Sequence, residues 1–206
     1  MSAERRWTAD FWFDPSCPYT WLVSRWLVEA AGARGAEVRW HVMSLSVLNE
    51  GRDDDPEGDP EGYLWVPVRI CAAVRERYGQ EALGRFYTAL WTVGRSGDWL
   101  GDLEGSLEHA GLPRELAAAG MSEEYDGVVR ASHAEAMALL PGSGTPVTAV
   151  TGPDGTRAAF FGPVVSRVPR GEEAGRLWDA AVAMASVPGF HEFRGQPHAE
   201  PVFEEG

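Results

Sequence analysis

The stretch from Trp7 to Met43 constrains the fold most. "WTADFWFD", residues 7 to 14, is aromatic-rich and bounded by polar residues, the pattern of a buried strand. Pro18 stands where a helix can open, because proline is tolerated at the first helical position. Leu22, Val23, Trp26, Leu27 and Ala30 then recur at helical spacing and give one apolar face, with Gly32 as the expected terminator. "AEVRWHVM", residues 36 to 43, alternates Val38, Trp40 and Val42 and predicts a second strand. Strand, helix and strand in such close succession predict a right-handed parallel unit.

Beyond Met43 the chain changes character. Residues 50 to 62, "EGRDDDPEGDPEG", carry seven acids, three glycines and two prolines, which predicts a solvated linker or a lid. From 63 to 140 the pattern is helical. Val66, Ile70 and Val74 mark one helix, and Leu83, Phe86, Tyr87, Leu90 and Trp91 a second. Leu100, Leu103 and Leu107 mark a third, and "LPREL" with Pro113 opens a short fourth. Ser122 before Glu123 and Glu124 starts a fifth, with Tyr125, Val128, Val129 and Ser132 on one face. "TPVTAVTGPDGTRAAFFG", residues 145 to 162, predicts a hairpin around Gly152-Pro153-Asp154-Gly155. A last helix is expected from Glu172 to Ser186, its stripe being Leu177, Trp178, Ala181, Val182 and Ala185. The tail from Phe190 is expected to drape over the surface or over a partner. The element order is that of an α/β, thioredoxin-like sheet with a helical subdomain inserted between the βαβ unit and the ββα unit. Residues 1–58 and 142–206 are expected to form the thioredoxin-like domain and 59–141 the insertion.

Charge and composition exclude several functions. The formal net charge of −13, with all eighteen basic residues arginine and none clustered, argues against a nucleic-acid binder. No apolar run approaches the length of a membrane span. The opening "MSAERRWTADFWFD" lacks an apolar signal region, so a cytoplasmic location is expected. Two cysteines, Cys17 and Cys71, make no disulfide framework, and each is expected as a thiol. The five histidines show no metal-ligand spacing, so no metal site is expected. Gly142 and Gly144 lack the ending of a phosphate loop.

The chemistry concentrates in "FDPSCPYTWL", residues 13 to 22. Cys17 lies at the junction of the first strand and the first helix, and Thr20 stands where a C-x-x-C pair has its second sulfur. A thiol attacks as the thiolate. Lowering its pKa from ~8.5 to ~6 takes about 3.4 kcal/mol. The helix dipole supplies ~0.3–1 kcal/mol, so directed hydrogen bonds from the amides of Tyr19 and Thr20 and from the Thr20 hydroxyl are needed. The competing reading makes Cys17 a buried structural cysteine. Cys71, beside Ile70 in a helix interior, reads as a packing residue. Thr145-Pro146 reads either as an ordinary strand start or as a cis bond. Trp12 and Trp21 border the cysteine and are candidates to stack a flat ligand.

Together, "ADFWFDPSCPYTWLVSRW", "VRWHVMSLSVLNEGRDD", "GTPVT" and "FFGPVVSRVPRGEEAGRLWDA" resemble the mycothiol-dependent nitroreductases, DsbA-like proteins of the thioredoxin fold. The resemblance implies a homodimeric oxidoreductase fed by mycothiol or a similar low-molecular-weight thiol, acting on a disulfide or electrophilic substrate. It makes Cys17 the nucleophile and Pro146 a cis-proline facing it, with Thr145 before it. It places Asp14, Pro18, Tyr19 and Trp21 around the thiol, and lines the site with the loop from Ser44 to Arg52, which holds Asn49 and Arg52, and with the segment from Gly162 to Gly171, which holds Pro163. The family pattern is usually C-P-W-C; here Tyr19 and Thr20 take the last two places. An internal disulfide there is impossible, which predicts a monothiol cycle in which an external thiol resolves the mixed disulfide.

Two other classes fit the same fold. Kappa-type glutathione transferases and chromene-carboxylate isomerases resemble "DPSCPYTWL" and use this position to activate a cofactor thiol by hydrogen bonding. A non-catalytic dimeric binding protein is the third.

Overall fold

The computed structural model describes residues 6–54, 56–94 and 101–203. β1 (Thr8–Phe13) carries Ala9, Phe11, Trp12 and Phe13 into the core. α1 (Pro18–Arg34) buries Leu22, Val23, Trp26, Leu27 and Ala30, the face its spacing predicts. β2 (Glu37–Val42) runs parallel to β1: Glu37 N–H donates to the Trp7 carbonyl and Met43 N–H to the Phe13 carbonyl, both at 2.9 Å and with the same offset. The helix does not stop at Gly32. It continues through Ala33 and Arg34, good helix formers, and Gly35 takes the left-handed turn at φ 64°.

β3 (Val147–Thr151) and β4 (Arg157–Phe161) form the expected antiparallel hairpin, from Val147 opposite Phe161 to Thr151 opposite Arg157. Its turn is held by Asp154, whose carboxylate accepts the Thr156 N–H at 2.9 Å and hydroxyl at 2.8 Å, with Gly155 at φ 86°. The sheet order is β2-β1-β3-β4. Between β2 and β3 come α2 (Leu45–Leu48), α3 (Trp65–Thr92), α4 (Leu103–His109), 3₁₀ segments at Arg114–Met121 and Glu123–Tyr125, and α5 (Asp126–Leu139); α6 (Gly171–Ala185) comes after the hairpin.

The chain forms two compact units. Of the described residues, 6–11, 18–39 and 146–203 make the first, and 12–17 with those between 40 and 145 make the second. In the first, α1 packs on α6. Trp26 Nε1–H donates to the Ala174 carbonyl at 3.1 Å, and Arg34 grips Asp179 bidentately at 2.9 and 2.7 Å. A Cβ on Gly175 would sit 2.5 Å from the Arg34 guanidinium, so a side chain there would require the guanidinium to move. Trp178 and Ala181 of α6 are buried as expected, joined by Ala174 and Gly175. The tail lies on this unit, with Val202 N–H donating to the Ser166 carbonyl at 2.7 Å.

In the second unit, Phe13 stacks on Tyr87 at 4.0 Å and meets Trp40 edge-on. Arg69 of α3 holds Asp126 at the start of α5 by two bonds of 2.7 and 2.9 Å. The two helices expected over Val66–Val74 and Leu83–Trp91 are one, α3, broken at Gly79. The faces are nonetheless the expected ones: Ile70, Val74, Leu83, Phe86, Tyr87, Leu90 and Trp91 are all buried. Leu100, assigned to the third helix, lies outside the described residues. On α5, Val129 is buried as expected and His133 and Ala136 continue its face.

Gly79 adopts φ 82°, ψ −172°, a region essentially closed to other residues. Nothing within 4 Å would obstruct a Cβ, so the penalty of Gly79→Ala is conformational. The substitution is expected to lower stability by ~1–3 kcal/mol, read as a fall in Tm or in the denaturant midpoint.

Candidate functional site

β1 ends at Phe13, and the next four residues make a turn. Asp14 and Cys17 are its ends: Cys17 N–H donates to the Asp14 carbonyl at 3.3 Å. α1 begins at Pro18, so Cys17 directly precedes the first helical residue. Cys17 is half-buried, unlike the fully buried Cys71. Pro18 has no N–H and a fixed φ, which suits the first helical position.

Asp14 organises the turn from within, and is itself fully buried. Its carboxylate accepts Ser16 N–H and Leu45 N–H, both at 2.7 Å. Its own N–H donates to Thr145 Oγ1 at 3.2 Å. One residue thus ties together the Cys17 turn, the start of α2 and the residue before Pro146. Burial pushes the Asp14 carboxyl up to about 7; the bonds from Leu45 and Ser16 oppose this, and the Glu57 charge adds to it.

Three neighbours complete this part of the second unit. Trp91 Nε1–H donates to the Pro15 carbonyl at 2.9 Å. His133 Nδ1 accepts Ser44 N–H at 3.4 Å, and burial with the Arg130 charge lowers its pKa, consistent with a neutral acceptor. Cys71 is fully buried in α3. Burial, and then the Asp14 charge, push its thiol well up, so it is held neutral and fills a packing role.

Leu45, bonded to Asp14, also lines a cavity of about 410 Å³ with Ser46, Asn49, Arg52, Glu57 and Trp65. Arg52 is bidentate to Asp54 at 2.9 and 2.8 Å, and Asn49 Nδ2 donates to Glu57 at 3.3 Å. The acidic 50–62 segment is therefore the wall of a cavity as well as a connection.

In the first unit, Tyr19 is half-exposed. Its hydroxyl donates to the Ala199 carbonyl at 3.1 Å and its ring meets His198 at 5.6 Å. With Val164, Arg167, Pro169 and Pro197 these residues line a cavity of about 350 Å³. Thr20 is fully buried in the first turn of α1. Gly162 N–H donates to the Pro146 carbonyl at 3.0 Å, which brings Pro146 beside the Gly162–Pro163 pair.

Two expectations need correction. Thr145–Pro146 is not a cis bond; among the described residues the cis peptide is Gly162–Pro163. Pro146 stands immediately before β3, where a trans bond is the ordinary state of a strand-opening proline. The tryptophans do not offer open faces to a flat ligand either. Trp21 is buried with the Arg25 guanidinium 4.1 Å over its ring, and Trp12 is buried and stacked on His41 at 4.5 Å. Large apolar rings at the root of a strand–helix junction are more favourably placed in the core.

Asp14 is bonded both to the Cys17 backbone N–H and to the Thr145 hydroxyl, and its carboxylate bond to Leu45 N–H connects it to the cavity of Asn49 and Arg52. The chain is similar to known proteins over most of its length. The family described as "Rv2466c-like: Mycothiol-dependent nitroreductase Rv2466c" matches residues 16–195. The chain belongs to this family. An uncharacterized protein of Mycobacterium tuberculosis (strain ATCC 25618 / H37Rv), Rv2286c, is 30% identical over 201 residues, covering 91% of this chain and 81% of that protein. Among solved structures, a probable DsbA oxidoreductase from Streptomyces coelicolor, SCO1869, superposes with a TM-score of 0.55 at 18% identity, over 86% of this chain and 91% of that one. A putative protein disulfide isomerase from Nitrosomonas europaea gives 0.54 at 15%, over 86% and 98%. These two show that this mycothiol-dependent nitroreductase relative has the DsbA-like, thioredoxin-type fold.

Ser44 and Leu45 belong to the 44–52 loop that the resemblance expects to line the site, whereas His133, which accepts the Ser44 N–H, is a neighbour that the sequence did not reveal. Asp14 carried a readable signal. Asp-Pro-Ser is an Asx-turn sequence, and its carboxylate does accept the N–H two residues on. Among the described residues no group of three or more His, Cys, Asp or Glu side chains is placed to hold a metal ion, and no helix is long and apolar enough to cross a membrane.

Proposed function

We propose that this chain is a monothiol thiol–disulfide oxidoreductase, cytoplasmic and homodimeric, that draws its electrons from a low-molecular-weight thiol such as mycothiol. The observation that carries this reading is Cys17: a half-buried cysteine directly ahead of a 17-residue helix, in a family of thiol-dependent reductases, with Thr20 in place of the second sulfur.

The Cys17 thiolate attacks one sulfur of a disulfide. The old S–S bond breaks, the leaving thiolate takes a proton, and Cys17 carries a mixed disulfide. Thr20 has no sulfur with which to expel the adduct. A second, external thiolate attacks the adduct's sulfur, forms a new disulfide with it and returns Cys17 as the thiolate. In each exchange two electrons pass between sulfurs, and no metal is needed. Pro18 sets the helix start, and Thr145 with Pro146 anchors the turn through Asp14.

The cavity beside Leu45 belongs to the same compact unit as Cys17. We assign it to the polar body of the reducing thiol, with Asn49 and Arg52 as contacts. Tyr19 and Pro163 are assigned to the substrate. Residues 59–141 are taken as the helical insertion, which supplies the cavity's Trp65 wall.

The test is direct. Incubation with an oxidised low-molecular-weight thiol is expected to add one half of the disulfide to Cys17, seen by mass and removed by excess thiol. A protein that instead keeps its activity as Cys17→Ser and yields a conjugated product would be a transferase or isomerase of the kappa type, a role Thr20 also fits. A protein that takes no adduct under these conditions would be a binding protein.

A further inference from the structure

The chain beyond α6 forms neither helix nor strand from Pro188 to Phe203, yet it is held on the first unit. The Tyr19 hydroxyl donates to the Ala199 carbonyl at 3.1 Å, and its ring lies 5.6 Å from that of His198. Three residues beyond Ala199, Val202 N–H donates to the Ser166 carbonyl at 2.7 Å. The tail thus bridges the first turn of α1 and the loop after β4. It also walls the cavity of about 350 Å³, whose lining is shared by Tyr19, the 164–169 loop and the tail residues 196–199.

The sequence stiffens this strap. Pro197 and Pro201 have a fixed φ, and Gln196 and Glu200, each before a proline, are pushed toward extended backbone. A segment so restricted loses less freedom when it docks. Its side chains are mostly exposed, so burial holds it weakly and the two hydrogen bonds carry weight. A backbone carbonyl and a tyrosine hydroxyl are also groups that an extended peptide engages when it docks through its main chain. Tyr19 is two residues along the chain from Cys17, so their Cα atoms lie within about 7 Å.

We propose that the tail from Gln196 to Val202 occupies the place of an extended peptide at the start of α1, so that the protein exchanges with low-molecular-weight disulfides and excludes disulfides carried on peptides. The inference rests on the reading of Cys17 as an exchanging thiol and names the substrate class for it. A peptide brings chain on both sides of its sulfur, and that chain needs room along Tyr19 and the 164–169 loop. The tail already takes the Tyr19 hydroxyl and the Ser166 carbonyl. A small disulfide needs access to the sulfur alone. Releasing the tail therefore relaxes the size limit and leaves the thiol chemistry as it was.

Val202→Pro in the full chain removes the N–H that bonds Ser166; the Val202 side chain is exposed, and Val202→Ala keeps the N–H as the control. Two uncharged groups, mercaptoethanol and a short cysteine-containing peptide, are each joined by a disulfide to thionitrobenzoate. The Cys17 thiolate attacks the mercaptoethanol or peptide sulfur, the probe's S–S bond breaks, and thionitrobenzoate leaves as a coloured anion. Wild-type protein is expected to react faster with the mercaptoethanol probe. The net worth of one hydrogen bond corresponds to about tenfold in an equilibrium. Val202→Pro is expected to speed tryptic cleavage after Arg194, followed by mass, and to raise the peptide-to-mercaptoethanol rate ratio, each by about tenfold, with the mercaptoethanol rate unchanged. Val202→Ala is expected to match wild type in both. Equal wild-type rates with the two probes, cleavage no faster in Val202→Pro, faster cleavage with an unchanged ratio, or the same rise in Val202→Ala overturns the proposal and leaves the proposed function standing. A wild-type protein that releases thionitrobenzoate from neither probe overturns both.

Discussion

Cys17→Ser should abolish thiol–disulfide exchange by this protein. A serine oxygen forms no mixed disulfide, and Cys71 cannot substitute for the lost sulfur because it is fully buried and held as the neutral thiol. The expected loss is on the order of a thousandfold or more, the scale seen when the nucleophile of a covalent mechanism is removed. The side-chain volume changes little at a half-buried position, so the variant should melt close to wild type. The assay monitors release of a chromogenic thiol from an aromatic disulfide. Cys71→Ala serves as the contrast and is expected to retain exchange while losing some stability.

Asp14→Ala should produce the largest loss of stability at the site. It leaves the N–H groups of Ser16 and Leu45 without their acceptor in a buried environment. Each buried unsatisfied group costs about 1–3 kcal/mol, so a loss of about 2–5 kcal/mol is expected, measured by denaturant unfolding. The pH dependence of the wild type gives a second reading. The folded-state pKa of Asp14 is raised from 3.8 to about 7. Between those values the native state keeps a proton that the unfolded chain has lost, so this group makes stability fall as pH rises from about 4 to about 7 and level off above. Asp14→Asn keeps one acceptor, and its stability should lack that decline. A wild-type profile with no decline attributable to Asp14 would mean that the carboxyl is not buried as described.

Much of the fold was legible because local and tertiary preferences agree. The aromatic run of β1, the α1 stripe from Leu22 to Ala30 and the Gly-Pro-Asp-Gly turn each specify one structure at short range, and each formed as expected. Helix boundaries depended on finer competition. Gly32 and Gly79 look equally able to end a helix, yet only the second adopts a glycine-specific backbone, and it interrupts α3 without separating it into two elements.

The site was half legible. Cys17, Pro18 and Thr20 fall within four consecutive residues, so a short local pattern identified them. The burial of Asp14 depends on Leu45, 31 residues away, and on Thr145, 131 away. Nothing local encodes such returns of the chain. For the same reason His133 went unseen: its partner is Ser44, 89 residues distant. Trp21 misled in the other direction. Its position beside the cysteine suggested a binding face, whereas the ring is buried under Arg25.

The central claim is that a single sulfur is kept as an anion at the opening of α1. The rate of Cys17 alkylation by iodoacetamide, recorded against pH by peptide mass, measures this directly. The expected midpoint lies at least about one unit below the ~8.5 of a free cysteine. A midpoint at ~8.5 or above would contradict the claim.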